Sequence, residues 1–246
     1  MRGGAVNPVR LRYTKLGKVR WISHRDVARA LERAFRVAKL PLAFSEGFSP
    51  RPRVSFGLAL STGHEGDAEY VDLVLAEDVD LDDLPARLSA ALPEGMEVVG
   101  AVALADRAPA LQEAVSVVAW RVEVAHRDLT AVDPADLRGC IDAALDRPEL
   151  PTTKRRKGRD VVEDVRPVIR CITVCDEPSP DGHHAVVEME LSTQPRSAKP
   201  GEVLAAIGDF TDVRARRTHQ WIERDGARQE PLDADTRPRV PEACAS

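Results

Sequence analysis

His24 is the residue of this sequence best suited to acid-base chemistry. It stands at the start of a predicted helix, where the positive end of the helix dipole favours the neutral imidazole that can accept a proton. A histidine in this position fits the general base of a metal-independent ribonuclease. In the competing structural interpretation, the ring only closes a hydrogen bond in the first turn, beside Ser23. His64 lies in a predicted loop at 61–67 and could approach His24, since both would sit at the same end of the unit.

Four arginines recur on one side of the helix predicted over about residues 24–38. At about 100° per residue they fall within an arc of roughly 80°, opposite an apolar stripe. The arginines are Arg25, Arg29, Arg33 and Arg36, and the stripe consists of Val27, Ala30, Leu31, Ala34 and Ala38. A guanidinium can bond a phosphate through two hydrogen bonds, and spaced cations are what tracking a nucleic acid backbone requires. We therefore predict that Arg25, Arg29 and Arg33 bind nucleic acid.

Two further groups of cations fall in predicted loops, each between a first helix and a second strand. Arg51 and Arg53 alternate with Pro50 and Pro52, which stiffen the backbone. The second group consists of Lys154, Arg155, Arg156, Lys157 and Arg159, with Arg166 beyond them. We predict that both loops contact phosphates, although a run of charge is also typical of a solvated loop.

Aromatic residues are interspersed with the cations of the first 60 residues. They are Tyr13, Trp21, Phe44, Phe48 and Phe56. Rings in a basic region can stack on bases. Tyr13 and Phe56 lie in alternating strands, however, which is more typical of core positions.

The charge of the chain is polarised. The formal net charge is −5 over 246 residues, 30% of which are charged. Residues 1–60 carry +10, residues 61–113 carry −11, and the remainder carries −4. A net negative charge therefore does not exclude nucleic acid as a partner.

The cysteines, at 140, 171, 175 and 244, show no disulfide framework. Cys171 and Cys175 have the first spacing of a CxxxCxxC iron–sulfur motif, but the third position is Pro178, so no cluster is expected and both cysteines are interpreted as buried strand residues. His183 and His184 occupy a predicted turn without further ligands. We expect no metal and no cofactor. With no apolar leader or membrane span in the sequence, we expect a cytoplasmic protein without membrane contact.

The order of predicted elements indicates an α+β protein. Strands at 9–14, 54–61, 69–75 and 96–104, with helices at 24–38 and 81–92, give the order βαββαβ. The same order returns after a linker at 105–114 and predicts an internal duplication. We predict two tandem ferredoxin-like units with antiparallel sheets, at 8–105 and 115–224, and a disordered tail at 227–246. The first strand is interrupted near Leu16 and Gly17 and either continues to Ile22 or folds back there.

Two stretches, WISHRDVARALERAF at 21–35 and SEGFSPRPRVSFGLALSTG at 45–63, closely resemble the bacterial radical-SAM-associated protein family, a domain of unknown function. The resemblance extends more loosely through DVRP at 164–167, LSTQPRSAKPGEVL at 191–204 and VRARR at 213–217. It implies an association with a radical SAM enzyme. For a free-standing member of actinobacterial type, the resemblance implies an association with machinery of the ribonuclease E/G type.

Three functions are compatible with these patterns. We favour an RNA-binding accessory protein without catalytic activity of its own. The alternatives are a metal-independent ribonuclease that uses His24 and a protein-docking domain whose acidic second quarter binds a basic enzyme. The absence of a phosphate-binding loop, a nucleophile elbow and a zinc-protease motif excludes the commonest enzyme classes from this sequence.

Overall fold

The computed structural model describes residues 7–105, 107–156 and 158–237. The chain divides into two compact units. Unit 1 contains the described residues of 7–59, 69–114 and 229–237, and unit 2 contains those of 60–68 and 115–228. No helix within the described ranges is long and apolar enough to cross a membrane.

Unit 1 is built on a sheet with the strand order β4-β1-β3-β2. Its elements are β1 (Asn7–Lys15), α1 (His24–Val37), β2 (Val54–Phe56), β3 (Glu65–Leu75, of which the last seven residues lie in this unit), α2 (Leu84–Ser89), β4 (Val98–Ala103) and α3 (Leu111–Ala114). Strands β1 and β4 pair antiparallel, as do β2 and β3. One face of this sheet is covered by α1 and α2.

Helix α1 begins at His24 because Ser23 caps it. The Ser23 hydroxyl accepts a hydrogen bond from the Asp26 backbone N–H at 3.3 Å and donates one to the Asp26 carboxylate at 2.7 Å. The apolar stripe of the helix is buried in the core of unit 1, together with Leu11, Leu73 and Leu88. Full burial of a valine or leucine side chain contributes roughly 1.5–3 kcal/mol, so the buried valine and leucine of this stripe fix α1 on the sheet.

The chain after β1 does not continue as a strand. Residues Gly17–Trp21 form a 3-10 helix, which corrects the predicted strand resumption and fold-back alike. Gly17 adopts a φ of 66°, and the backbone N–H of Leu16 donates to the carbonyl of Gly95 at 2.8 Å. This contact holds the end of β1 beside the turn that precedes β4.

Residues 229–237 pack against unit 1, although the sequence places them in a tail. The carbonyl of Pro231 accepts a hydrogen bond from Arg10 at 3.1 Å, and the Glu230 carboxylate accepts one from Arg12 at 2.8 Å. Backbone hydrogen bonds join Asp235 and Arg237 to the end of β4 and the residues after it. The part of the predicted tail from 238 to 246 lies outside the described residues.

Unit 2 has the sheet order β10-β5-β9-β8, with each neighbouring pair antiparallel. Its elements are β5 (Val117–His126), α4 (Pro134–Leu145), β6 (Pro151–Arg156), β7 (Arg159–Asp164), β8 (Ile169–Val174), β9 (Ala185–Ser192), α5 (Pro200–Ile207), β10 (Phe210–Arg224) and β11 (Ala227–Gln229). The first residues of β3 also pair with β10, in parallel. Asp133 caps α4 by accepting a hydrogen bond from the Ala135 N–H at 2.7 Å.

Strands β6 and β7 form a separate two-stranded sheet. The described cations of the run, at 154–156 and 159, therefore lie in a β-hairpin, not in an open loop as predicted. Gly158 has a φ of 78° at the turn, and Asp164 anchors the base by accepting hydrogen bonds from the N–H groups of Leu150 and Arg166. Taken together, both units confirm the prediction of an α+β protein whose sheet is mostly antiparallel.

Candidate nucleic-acid interface

The outward face of α1 is cationic and exposed, and it belongs to unit 1. Arg25, Arg29, Arg33 and Arg36 are all exposed. Arg29 lies 3.2 Å from the Asp26 carboxylate, but both side chains are about half exposed, at 63% and 49%, so this ion pair contributes little. Hydrogen bonding to Ser23 lowers the pKa of the Asp26 carboxylate. The arginines of α1 are thus available to a phosphate ligand.

The loop before β2 is closed by hydrogen bonds. The backbone N–H of Arg53 donates to the Ala43 carbonyl at 2.8 Å, and the N–H of Ser45 donates to the Arg51 carbonyl at 2.8 Å. The Arg51 N–H donates to the Ser45 hydroxyl at 3.1 Å. Both arginines are exposed, so this loop presents two guanidinium groups on a fixed backbone.

The aromatic residues of the basic region divide between core and surface. Tyr13 is buried and Phe56 is half-buried, as their alternating strands suggest. Trp21 and Phe44 are more than half exposed, and Phe48 is fully exposed. The Arg20 guanidinium lies 5.0 Å from the centre of the Trp21 ring. Sequence alternation separated the core rings from the others, but only the structure shows how open Phe44 and Phe48 are.

His24 is exposed at the first turn of α1. The edge of its ring packs against Phe56, with the ring centres 5.1 Å apart at an interplanar angle of 83°. His64 has other partners, which lie in unit 2: its Nε2 is 3.2 Å from a carboxylate oxygen of Asp212, and its ring packs edge-on against Trp120. The structure therefore gives the two histidines separate surroundings.

Two of the predicted phosphate ligands in unit 2 have partners within the chain. The Lys154 ammonium is mostly buried between Glu163, at 3.6 Å, and Glu202. The Arg166 guanidinium donates two hydrogen bonds, of 2.9 and 3.2 Å, to the Leu145 carbonyl at the end of α4. A lysine or arginine committed to such partners is a poor ligand for a mobile phosphate.

The other described basic residues of the run lie around the hairpin turn. Arg159 is exposed at the start of β7. Arg155 and Arg156 lie in β6 opposite Asp160 and Arg159, respectively. Lys157 lies outside the described residues. Contact between this hairpin and phosphates stays a prediction.

The sheet of unit 2 carries a shallow groove of about 320 Å³ that the sequence did not suggest. Trp221 lies on its wall, stacked on His219 with ring centres 5.0 Å apart. The Arg228 guanidinium lies 5.3 Å from the centre of the Trp221 ring and bonds the Glu190 carboxylate at 2.7 and 2.9 Å. Because cations and carboxylates already pair here, the groove is less suited to phosphate than α1 is.

The cysteines of the CxxxC segment are more accessible than predicted. Cys171 is exposed on β8, and Cys175 is half-buried just after it, where burial raises the pKa of its thiol. The reason is that Cys171 points to the open face of the sheet, opposite Glu190, and not to its helix-covered face. The described part of the chain contains no cluster of three or more histidine, cysteine, aspartate or glutamate side chains able to hold a metal ion.

Comparison with solved structures finds chains of low sequence identity. The chain is similar to one in the crystal structure of a Cbf5-Nop10-Gar1 complex, at 10% identity and a TM-score of 0.49, covering 86% of this chain and 48% of that one. It is also similar to one in the archaeal box H/ACA sRNP Nop10-Cbf5 complex, at 8% identity and a TM-score of 0.45, covering 86% and 47%. This chain spans about half the length of the chains that it matches.

No curated protein matches the chain. A family model does match it, over residues 9–200, which is most of its length. The chain belongs to the family described as uncharacterized proteins conserved in bacteria, DUF2344.

Proposed function

We propose that this protein binds RNA as an accessory component, without catalytic activity of its own. The observation that carries this proposal is the exposed face of α1, where Arg25, Arg29, Arg33 and Arg36 project from a helix held firmly by its opposite face. Phosphates recur along an RNA backbone, so a row of exposed guanidinium groups on a rigid helix offers several matched contacts at once. Arg51 and Arg53 add two more cations on a closed loop of the same unit.

We further infer that both units are ferredoxin-like, with the domain boundaries predicted at 8–105 and 115–224. Each unit has the order βαββαβ in its main elements, with the β6–β7 hairpin inserted in the second. In each unit the fourth strand neighbours the first, the first neighbours the third, and the third neighbours the second. This order supports the classification. Ferredoxin-like sheets are a common platform for binding single-stranded RNA, which is compatible with the proposed role.

The partner enzyme is proposed from the resemblance alone. The residues at 21–35 and 45–63 resemble those of radical-SAM-associated proteins, and this resemblance implies an association with a radical SAM enzyme or with machinery of the ribonuclease E/G type. The exposed loop arginines of the second stretch would be available to bind RNA in such an assembly.

A charge-reversal experiment tests the RNA proposal. Arg29→Glu with Arg33→Glu should weaken RNA binding and lower the slope of log affinity against log salt by about one for each phosphate that the variant no longer neutralises. Binding would be measured by fluorescence polarisation from low to physiological salt. The matched control is Arg138→Glu with Arg147→Glu, which reverses two exposed arginines at another helix, in unit 2. Equal affinity and salt slope in both double variants and in the wild type would contradict the proposal.

One observation favours a second candidate, docking to a protein. Phe44 and Phe48 are large apolar side chains left in water, and exposed apolar side chains are common at protein interfaces. The acidic segment at 61–113 would favour a basic partner. If the purified protein shows no salt-dependent affinity for RNA, docking becomes the better explanation.

A further inference from the structure

Phe44 and Phe48 are two exposed phenylalanines in one short loop. Phe44 is 58% exposed and Phe48 is fully exposed, whereas Phe35 is buried in the core. Exposed rings forgo the hydrophobic stabilisation that burial gives. Because both rings lie in one short loop, their exposure calls for a ligand that would cover them.

The backbone of this loop is ordered by hydrogen bonds. Hydrogen bonds between residues 43 and 53 and between residues 45 and 51 close its two arms, and Phe44 lies opposite Pro52. Gly47 adopts a φ of 121°, a conformation that favours glycine, directly before Phe48. A ring presented on an ordered loop loses little conformational entropy when it binds.

The chemistry around the rings distinguishes between ligands. Arg51 and Arg53 are exposed in the same loop, so a ring and a cation are offered together. An unpaired nucleotide needs both, because its base presents two open faces and its phosphate a negative charge. A base pair inside a duplex is stacked on both faces and offers nothing to a phenyl ring.

We propose that Phe44 and Phe48 stack on unpaired bases, so that this loop selects single-stranded RNA while Arg51 and Arg53 bind the adjoining phosphates. This inference rests on the proposed RNA binding and adds the class of RNA to it. The arginines supply affinity for any phosphate backbone, and the rings supply the preference for unpaired nucleotides.

The test compares one labelled RNA strand of mixed sequence, alone and annealed to its complement, by fluorescence polarisation with the full chain. The wild type should bind the single strand about ten-fold more tightly than the duplex. Phe44→Leu with Phe48→Leu should remove most of that preference, since leucine keeps the apolar volume but lacks a planar face. Phe44→Tyr with Phe48→Tyr should retain it. Val99→Ala, at an exposed apolar residue of β4, is the control and should change neither affinity.

The possible results distinguish a preference for single-stranded RNA from RNA binding itself. RNA binding with equal affinity for single strand and duplex would overturn the inference and leave the RNA proposal standing. Leucine variants that bind like the wild type would also overturn it and would favour an apolar protein contact. A wild-type protein with no affinity for either RNA would overturn both. Thermal melting of each variant checks its fold, and the tyrosine variant keeps the test decisive if the leucine variant melts early.

Discussion

The arginines of unit 1 differ in burial: one is buried and hydrogen-bonded within the fold, and those of α1 are exposed. The Arg10 guanidinium is fully buried and forms two hydrogen bonds with the Asp72 carboxylate, at 2.7 and 2.9 Å, and a third with the Pro231 carbonyl. Its donors are committed, and removing it would leave a carboxylate and a carbonyl without their partner. The arginines of α1 are exposed, so their charge remains available for a ligand.

His24 is expected to matter for recognition more than for stability. Its exposed ring contacts Phe56 only by its edge, so His24→Ala should lower the free energy of unfolding by about 1 kcal/mol or less. If the side chain contacts RNA, the same variant should bind RNA more weakly. The two quantities would be measured by urea unfolding and by fluorescence polarisation.

An RNA cleavage assay distinguishes a ribonuclease from a protein that only binds RNA. A general base typically contributes about 10² to 10⁴ in rate, so a ribonuclease that used His24 would lose cleavage and keep binding in His24→Ala. A variant with normal RNA binding and a strongly reduced melting temperature would instead make His24 a structural residue. The same RNA binding, cleavage and melting measurements on His64→Ala provide a comparison, since His64 contacts Asp212 and Trp120 in unit 2.

At the scale of elements, periodic segments were predictable and aperiodic ones were not. The sequence predicted α1 over about residues 24–38, and the structure has it at His24–Val37, because a capped apolar stripe at helical spacing is a local signal. The 3-10 helix at Gly17–Trp21 was missed because Val19 and Trp21 alternate like strand residues. The β6–β7 hairpin was missed because β7 is mostly exposed and shows no apolar alternation.

The sequence predicted part of the candidate site, the cationic face of α1, but not the pairing of other cations within the fold. The cationic face of α1 follows from the spacing of its arginines, and the structure leaves those side chains exposed. The commitment of Lys154 to Glu202 and of Arg166 to the Leu145 carbonyl could not be foreseen, because it depends on packing between distant segments. Composition alone does not distinguish a cation that is free to bind a ligand from one that is paired within the fold.

Two glycines should respond oppositely to alanine because of the elements they occupy. Gly95 has a φ of 90° in the turn before β4, and a Cβ there would lie 2.3 Å from the Leu16 carbonyl oxygen and 3.0 Å from a methyl group of Val19. Gly95→Ala should therefore lower the free energy of unfolding by about 2–3 kcal/mol. Gly139 is exposed inside α4 with open space around it, so Gly139→Ala should raise that free energy by about 0.5–1 kcal/mol.

Urea unfolding of both glycine variants, followed by circular dichroism, checks these signs. The Gly139 variant serves as the control for Gly95, because each adds one methyl group at a glycine. A neutral Gly95→Ala would show that the 3-10 helix and the turn before β4 do not hold each other in place.

For the molecule as a whole, the uneven charge has a consequence for binding. A net charge of −5 repels RNA at long range, so RNA association should depend on the local cations of unit 1. Arg228 and Arg121 already form salt bridges with glutamates on the sheet of unit 2. We therefore expect unit 1 to supply most of the salt-dependent affinity.

The C-terminal segment that packs on unit 1 is expected to contribute to the stability of the molecule. Pro231 and Ala234 are buried, Arg10 and Arg12 donate hydrogen bonds to this segment, and a Cβ at Gly100 would lie 2.6 Å from Leu232.

A chain ending at Gln229 lacks this packing and leaves one hydrogen-bonding group of the buried Arg10 without its acceptor. It should melt at a lower temperature, by several degrees, since its free energy of unfolding would fall by about 2–3 kcal/mol. A chain ending at Arg237 keeps the whole of this packing and is the control, with a melting temperature close to that of the full chain. If the shorter chain melts like the control, then 229–237 lies on unit 1 without stabilising it, and the burial of Arg10 depends on Asp72 alone.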